Sequence, residues 1–301
     1  MKVAVVGANG IVGRQMLGIL SSCEVELYAL GRRSVGQVID VGEMSYPVSA
    51  SEDFDFGAMD GVVMSAGHVC ASQVRASLGG AWLIDNSSAF RREDSVALVV
   101  PEIFQETVGQ VVASPNCVAI PMVLVLSLLQ EWGLEGVWGS TYQSVSGAGM
   151  QAMRDLDSQQ GVYDSVRAEI GSMGDDGVTG EEDKIQYEVN KILGIDIPVS
   201  VMAVRVPVRY GHSMHLRVTL ASTVNMKELL EKFRDCPYIK LYEDAVPEPR
   251  DAKECHQVHV GRVQVKDRVV GLWVVSDNVY RGAAWNVCEI AKRFFAVKEM
   301  R

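Results

Sequence analysis

The sequence predicts an α/β chain, with a doubly wound parallel sheet in its amino-terminal part and then an α+β domain built on a largely antiparallel sheet. Two patterns carry this. Short apolar runs alternate with helix-like segments at Lys2–Val6, a helix through about Leu20, then Val25–Leu30, Gly61–Ser65, Ala81–Ile84 and Leu98–Val100, the rhythm of strands joined by crossover helices. From about residue 137 the period changes, and Val201–Val208 and Met214–Leu220 alternate apolar with other residues, reading as half-buried antiparallel strands.

In the second of these strands Met214, Leu216, Val218 and Leu220 share one face, leaving His215, Arg217 and Thr219 on the other. In the first, Met202, Val204, Val206 and Val208 form an apolar face, so Arg205 projects from the opposite side, as a carboxylate-binding fork requires. Val258–Val265 and Val269–Val275, with Lys266-Asp267 between them, read as a hairpin. The glycine-rich, acidic stretch Gly171–Val178 reads as a mobile surface loop. Thr179-Gly-Glu-Glu182 has the spacing of a helix capping box, with Ile185, Val189 and Ile192 as the buried stripe behind it. Glu181, Lys184 and Glu188 fall on a flanking face, either as surface ion pairs or as groups converging on a charged ligand. In Gly282–Val297, Ala283, Val287, Ile290, Ala291 and Phe294 stand at helical spacing. The expected division is 1–116, 117–276 and a final helix in 277–301 that packs back on the first domain.

A formal charge of −10, without a local basic patch, disfavours nucleic acid and anionic membrane as partners and leaves small molecules. No long apolar run and no basic leader are present, so a cytoplasmic protein is expected, its six scattered cysteines reduced. Cys255-His256-x-x-His259 superficially suggests a metal, but in a strand the two histidines point to opposite faces and no second ligand pair has matching spacing; no metal is expected.

Gly7-Ala-Asn-Gly10-Ile-Val-Gly13 follows a strand and opens a helix, where small residues let the chain turn and approach a pyrophosphate at the helix amino terminus. This is the Rossmann-type arrangement, though a tight strand–helix turn alone has the same composition. The second strand ends without an acidic residue at the position for a ribose hydroxyl and runs into Gly31-Arg32-Arg33-Ser34, which suits a 2′-phosphate and hence NADP, unless the arginines are only solvated. Cys117 in Ser114-Pro-Asn-Cys117 precedes the apolar run Met122–Leu129, with Pro121 suited to a first helical turn. A thiolate there is stabilised by unpaired N–H groups; a small buried hydrophobe is the alternative.

Nine segments in order resemble the aspartate-semialdehyde dehydrogenases: the glycine loop 7–13, Ser65-Ala66-Gly67, 85–91, 100–102, 114–117, 141–149, 181–184, 205–213 and 276–278. The resemblance implies that Cys117 is the nucleophile, His212 the acid/base, and Gln143 the residue that orients the substrate. It implies that Arg205 binds the α-carboxylate, Glu181 the amino group, and Arg91 with Lys184 the phosphate. Gly7, Asn9, Gly10, Ile11 and Val12, with Ser65, Ala66, Gly67 and Asn278, would contact NADP. The second domain would be catalytic and dimerising, giving a homodimer that converts L-aspartate 4-semialdehyde and phosphate to L-4-aspartyl phosphate through a cysteine thioester. Val118 and Asn9 depart from the family's usual hydroxyl residues, and His68 stands where a small residue is usual. Two other readings share parts of the pattern: N-acetyl-gamma-glutamyl-phosphate reductase, and a nucleotide sensor that has lost catalysis.

Overall fold

The computed structural model describes residues 1–32 and 34–300. The chain divides into two compact units, Met1–Pro115 with Ala283–Arg301, and Asn116–Gly282.

In the first unit, eight strands form one sheet: β1 (Lys2–Val6), β2 (Glu26–Gly31), β3 (Val38–Val41), β4 (Met44–Ala50), β5 (Gly61–Met64), β6 (Trp82–Asp85), β7 (Ala97–Leu98) and β8 (Val111–Ala113). Their order is β3-β4-β2-β1-β5-β6-β8-β7, and every pairing is parallel except β3 with β4. From β1 the chain winds through α1 (Ile11–Leu20) to β2 on one side, and later returns to β5 on the other. That reversal opens a crevice at the carboxyl ends of β1 and β5, the place where open α/β sheets bind ligands. Strands buried on both faces, such as Val62–Met64 and Leu83–Ile84, explain why these segments read as unbroken apolar runs. The hairpin β3–β4 and the three-residue β8 were not expected from the sequence.

The carboxyl-terminal helix begins with a π-helical stretch, Tyr280–Trp285, and continues as α7 (Asn286–Phe294). Within the first unit, Asn286 donates to the Val99 carbonyl at 2.9 Å and to Ser114 Oγ at 3.0 Å, and Phe295 stacks on Trp82 with ring centroids 4.7 Å apart.

The second unit is built on a six-stranded sheet: β9 (Leu134–Gln143), β10 (Val199–Arg205), β11 (His212–Leu220), β12 (Ile239–Tyr242), β13 (Val258–Lys266) and β14 (Val269–Ser276), in the order β10-β9-β11-β14-β13-β12. The sheet is mixed and largely antiparallel. Met214, Leu216, Val218 and Leu220 are fully buried, and β13 with β14 forms the expected hairpin. One expectation is corrected: β10 pairs parallel with β9, its registered neighbour from Val199↔Val137 to Arg205↔Gln143. Alternation reveals which residues share a face but carries no information about strand direction, which depends on the partner. The apolar face was also misjudged. Val199, Val201 and Ala203 are buried, while Met202 is 56% exposed. Arg205 does lie opposite Met202, and that side, in phase with Val201 and Ala203, is the one turned inward.

Helix α3 (Ala119–Ser127) is buried from Ala119 to Leu126 and packs on α5 (Gly180–Leu193) and β14. Helix α5 starts at the expected capping box: Thr179 Oγ1 accepts from Glu182 N–H, and Glu182 Oε2 accepts from Thr179 N–H at 2.7 Å. Glu182 Oε1 also accepts from Ala203 N–H at 2.8 Å, tying the helix to β10. Helix α5 stops at Gly194 in the left-handed conformation, φ 64°.

Candidate active site

Cys117 stands immediately before Val118, the cap residue of α3, and is half-buried. The turn that presents it is fixed from both sides by its neighbour Asn116. Asn116 Oδ1 accepts from Val118 N–H at 2.7 Å, and the Asn116 carbonyl accepts from Ile120 N–H at 3.0 Å, closing the first helical turn. Asn116 N–H itself donates to Glu188 Oε2 at 2.5 Å. Glu188 is 1% exposed, so the surface ion-pair reading of this helix face does not hold for it, whereas Glu181, 8% exposed, does pair with Lys184. Helix α5 turns both carboxylates toward the cysteine turn because α3 covers that flank.

Around the sulfur the second unit gathers four of the expected residues. His212, the first residue of β11, places Nε2 3.4 Å from Cys117 Sγ. Gln143, at the end of β9, is 2% exposed and donates to Glu181 Oε1 at 3.3 Å, an oxygen that also accepts from Asn116 Nδ2 at 3.0 Å. Arg205 Nη1 donates to the Ser144 carbonyl at 2.7 Å. Burial lowers the Arg205 pKa from its usual value, opposed by the nearby Cys117 and Glu181. Lys184 Nζ stands 4.0 Å from Glu181 Oε2 and is 40% exposed, leaving its ammonium accessible to an anion. A largely buried floor thus carries a thiol, an imidazole, an amide, a guanidinium and a carboxylate.

His212 is fully buried, and its pKa is pushed down to about 3 by that burial first and by the Arg205 charge second; only the Gly211 backbone favours the protonated ring. Its Nδ1 accepts from Ser144 N–H at 3.1 Å. Behind it lies a network that sequence reasoning missed. Asn278 Oδ1 accepts from Gly211 N–H and from Ser144 Oγ, each at 3.0 Å, and Asn278 Nδ2 donates to Ser146 Oγ at 3.0 Å. Asn278, expected at the cofactor, is 4% exposed and has its amide committed to this network. Gly147 leaves open the space between the guanidinium and the imidazole: a Cβ there would sit 3.1 Å from Arg205 Nη1 and 3.3 Å from His212 Nε2.

The first unit holds a cavity of about 640 Å³ whose lining includes Gly7, Asn9, Gly10, Arg32, Ser34, Ser65, Ala66 and Gly67, and also His68 and Cys70. Ile11 and Val12 belong to the first turn of α1 rather than to its lining, and Arg33 lies outside the described residues. The cavity fits a dinucleotide phosphate. Gly10 and Gly67 cap α1 and α2 (His68–Ala76) without any side-chain bond to the first-turn N–H groups, which leaves those donors for an anion. Gly7, at φ 80°, approaches β5's end so closely that a Cβ would meet the Ser65 carbonyl at 2.4 Å. Arg32 is exposed and pairs with Glu52 at 2.8 Å. Arg91, also in this unit, is 8% exposed and donates to the Asn86 carbonyl at 2.8 Å. It is set by a turn in which Asp85, fully buried, accepts from Ser87 N–H at 2.9 Å and Ser87 Oγ at 2.6 Å. Among the described residues no helix is long and apolar enough to cross a membrane.

Residues 2–111 match the family profile "Semialdehyde dehydrogenase, NAD binding domain", and residues 125–281 match "Semialdehyde dehydrogenase, dimerisation domain". Aspartate-semialdehyde dehydrogenase of Rickettsia bellii is 33% identical over 325 residues, covering 96% of each chain, and that of Bacillus subtilis is 34% identical, covering 97% of this chain and 96% of its own. The crystal structure of aspartate semialdehyde dehydrogenase II from Vibrio cholerae complexed with ASA superposes with a TM-score of 0.92 at 30% identity, covering 97% of both chains. With the cysteine turn, the buried cluster around it and a two-unit fold shared over almost its entire length, the chain belongs to the aspartate-semialdehyde dehydrogenase family.

Proposed function

We propose that this chain catalyses the reversible, NADP-dependent oxidative phosphorylation of L-aspartate 4-semialdehyde to L-4-aspartyl phosphate, in the cytoplasm and as a homodimer. In the cell the reductive direction would serve synthesis of lysine and diaminopimelate, threonine and methionine. The observation that carries the reading is Cys117 Sγ, 3.4 Å from His212 Nε2, at the start of a buried helix and within the cluster of Gln143, Glu181 and Arg205.

In this reading the Cys117 sulfur attacks the aldehyde carbon, and the resulting adduct is oxidised to a thioester that phosphate cleaves. NADP, when bound, supplies the hydride acceptor. Arg205 grips the α-carboxylate through its planar fork, and the Glu181 carboxylate, already accepting from two amide groups, takes the substrate ammonium. Gln143 orients the substrate between them. Lys184, with its exposed ammonium, and Arg91 are the residues for phosphate. The positive end of the α3 helix dipole suits the tetrahedral oxyanion. For the cofactor, the uncapped helix starts at Gly10 and Gly67 suit the pyrophosphate, and Arg32 the 2′-phosphate. For the dimer, Trp138, Tyr142 and Met202, 41%, 36% and 56% exposed, offer an apolar outer face on the mixed sheet.

The test is a phosphate-dependent assay of NADPH formation with L-aspartate semialdehyde, run beside N-acetyl-L-glutamate semialdehyde. Turnover with the first substrate and phosphate is expected. Turnover with the acylated substrate alone would assign the chain to the reductase instead.

A further inference from the structure

We propose that Glu52 tunes the coenzyme preference of the first unit's cavity: its carboxylate holds the Arg32 guanidinium that the 2′-phosphate of NADP needs, so the phosphate has to displace a like charge, whereas NAD binds with the pair intact. This rests on the reading of the cavity as a dinucleotide site and of Arg32 as its 2′-phosphate residue.

The sheet brings the two residues together. Strands β2 and β4 run parallel and in register from Ala29↔Val48 to Gly31↔Ala50, so the chain leaves both at the same edge. Ser51 N–H donates to the Gly31 carbonyl at 3.3 Å, which sets the residues that follow, Arg32 and Glu52, side by side. Arg32 Nε then donates to Glu52 Oε1 at 2.8 Å. Gly31, Arg32, Ser34 and Ser51 all line the cavity. Cys70 lines it too; its thiol pKa is raised first by burial, then drawn down by the Arg32 charge and up by that of Glu52, so both charges act on this cavity. The acidic residue that β2 lacks at its end is thus supplied by the neighbouring strand.

Two features decide the direction of the effect. Both side chains stand in water, 68% and 50% exposed, so the pair is loose and screened rather than a clamp that fixes Arg32 in one pose. The Glu52 carboxyl is held below its usual range, by its own backbone N–H first and by Arg32 next, and it stays ionised at neutral pH. A 2′-phosphate brings a charge of about −2 to the same guanidinium. It meets an arginine whose charge is already matched, with a carboxylate beside it. The 2′-hydroxyl of NAD is neutral and can donate to a carboxylate, as ribose hydroxyls do at acidic residues in other open α/β sheets, and it makes no demand on Arg32. Glu52 therefore narrows the margin by which NADP is preferred.

Titration calorimetry of the full chain with NADP and with NAD, in the absence of substrate, tests this in wild type, Glu52→Gln, Arg32→Ala and the double variant. Glutamine keeps the shape and removes the charge at an exposed position, and circular dichroism checks that the fold is retained. Removing a like charge beside a screened phosphate is worth about three- to tenfold in affinity, so Glu52→Gln should tighten NADP by that much and leave NAD within about twofold. The gain should shrink in the Arg32→Ala background, where no guanidinium is left to release. Unchanged or weaker NADP binding in Glu52→Gln, equal tightening of both coenzymes, or the same gain with Arg32 removed would each overturn the proposal. Failure of the underlying reading looks different: wild type that binds neither coenzyme, or Arg32→Ala that binds NADP as wild type does, would remove the 2′-phosphate site itself.

Discussion

Gly282, the last residue of the second unit, is the position at which a single methyl group should be most informative about Cys117. A Cβ built there lies 2.9 Å from Cys117 Cβ, 3.0 Å from the Cys117 carbonyl oxygen and 3.2 Å from Cys117 Cα. Ordinary contact begins at 3.4 Å, so in Gly282→Ala the cysteine turn has to yield by several tenths of an ångström. The turn cannot yield freely, because Asn116 is bonded to Val118, Glu181 and Glu188 at once. Two costs follow: overpacking of about 1–3 kcal/mol in stability, and displacement of a sulfur aligned to its partner. Misplacement by about 1 Å costs roughly 10²-fold in rate, so a shift of half that size should lower kcat/KM by about tenfold. The assay pairs steady-state kinetics with the rate of Cys117 alkylation by a small haloacetamide and with a thermal melt. Gly282→Ala that keeps kcat/KM and the alkylation rate within about twofold of wild type would refute the claim that this contact sets the position of the sulfur.

Other outcomes follow from the same geometry. Arg205→Lys keeps the charge but loses the fork, so KM for the semialdehyde should rise roughly tenfold or more in initial-rate kinetics with the fold intact by circular dichroism. Glu188→Ala strips the Asn116 N–H of its acceptor, a loss of about 1–3 kcal/mol readable as a lower urea midpoint, and should slow Cys117 alkylation as well. Arg32→Ala should weaken NADP in titration calorimetry and leave NAD unchanged; its solvent-screened pair with Glu52 should leave the melting temperature essentially unchanged. His212 and His259 are buried with pKa values pushed down from 6.5 to about 3 and about 4, both chiefly by burial. The folded state therefore holds them neutral and the unfolded state takes up protons, so the stability they contribute is present above pH 6.5 and lost as pH falls toward 4. In urea titrations across that window His259→Gln should flatten the acid slope by up to ~1.4 kcal/mol per pH unit, one proton's worth.

Much of the site is legible in the sequence because it depends on local rules. Pro121 and the apolar run after it set the start of α3, and with it Cys117. Thr179 and Glu182 set the start of α5, and with it the phase of Glu181 and Lys184. Gly7 and Gly10 announce the turn after β1. What stayed hidden depends on partners remote in sequence. Ser144 and Asn278 are 134 positions apart, and neither residue type signals that the pair holds an imidazole. Glu188 looked like a surface carboxylate because its burial comes from the cysteine turn, which helical spacing does not reveal. The parallel run of β10 was equally invisible, since its alternation would be the same in either direction.

The central claim is that Cys117 carries the substrate covalently. Wild-type protein mixed with NADP and L-aspartate semialdehyde, without phosphate, should give a burst of NADPH equal to the number of active sites, with an aspartyl mass added to the peptide containing Cys117 and removed by phosphate. A full burst with no added mass on that peptide, or an equal burst from Cys117→Ala, would contradict it.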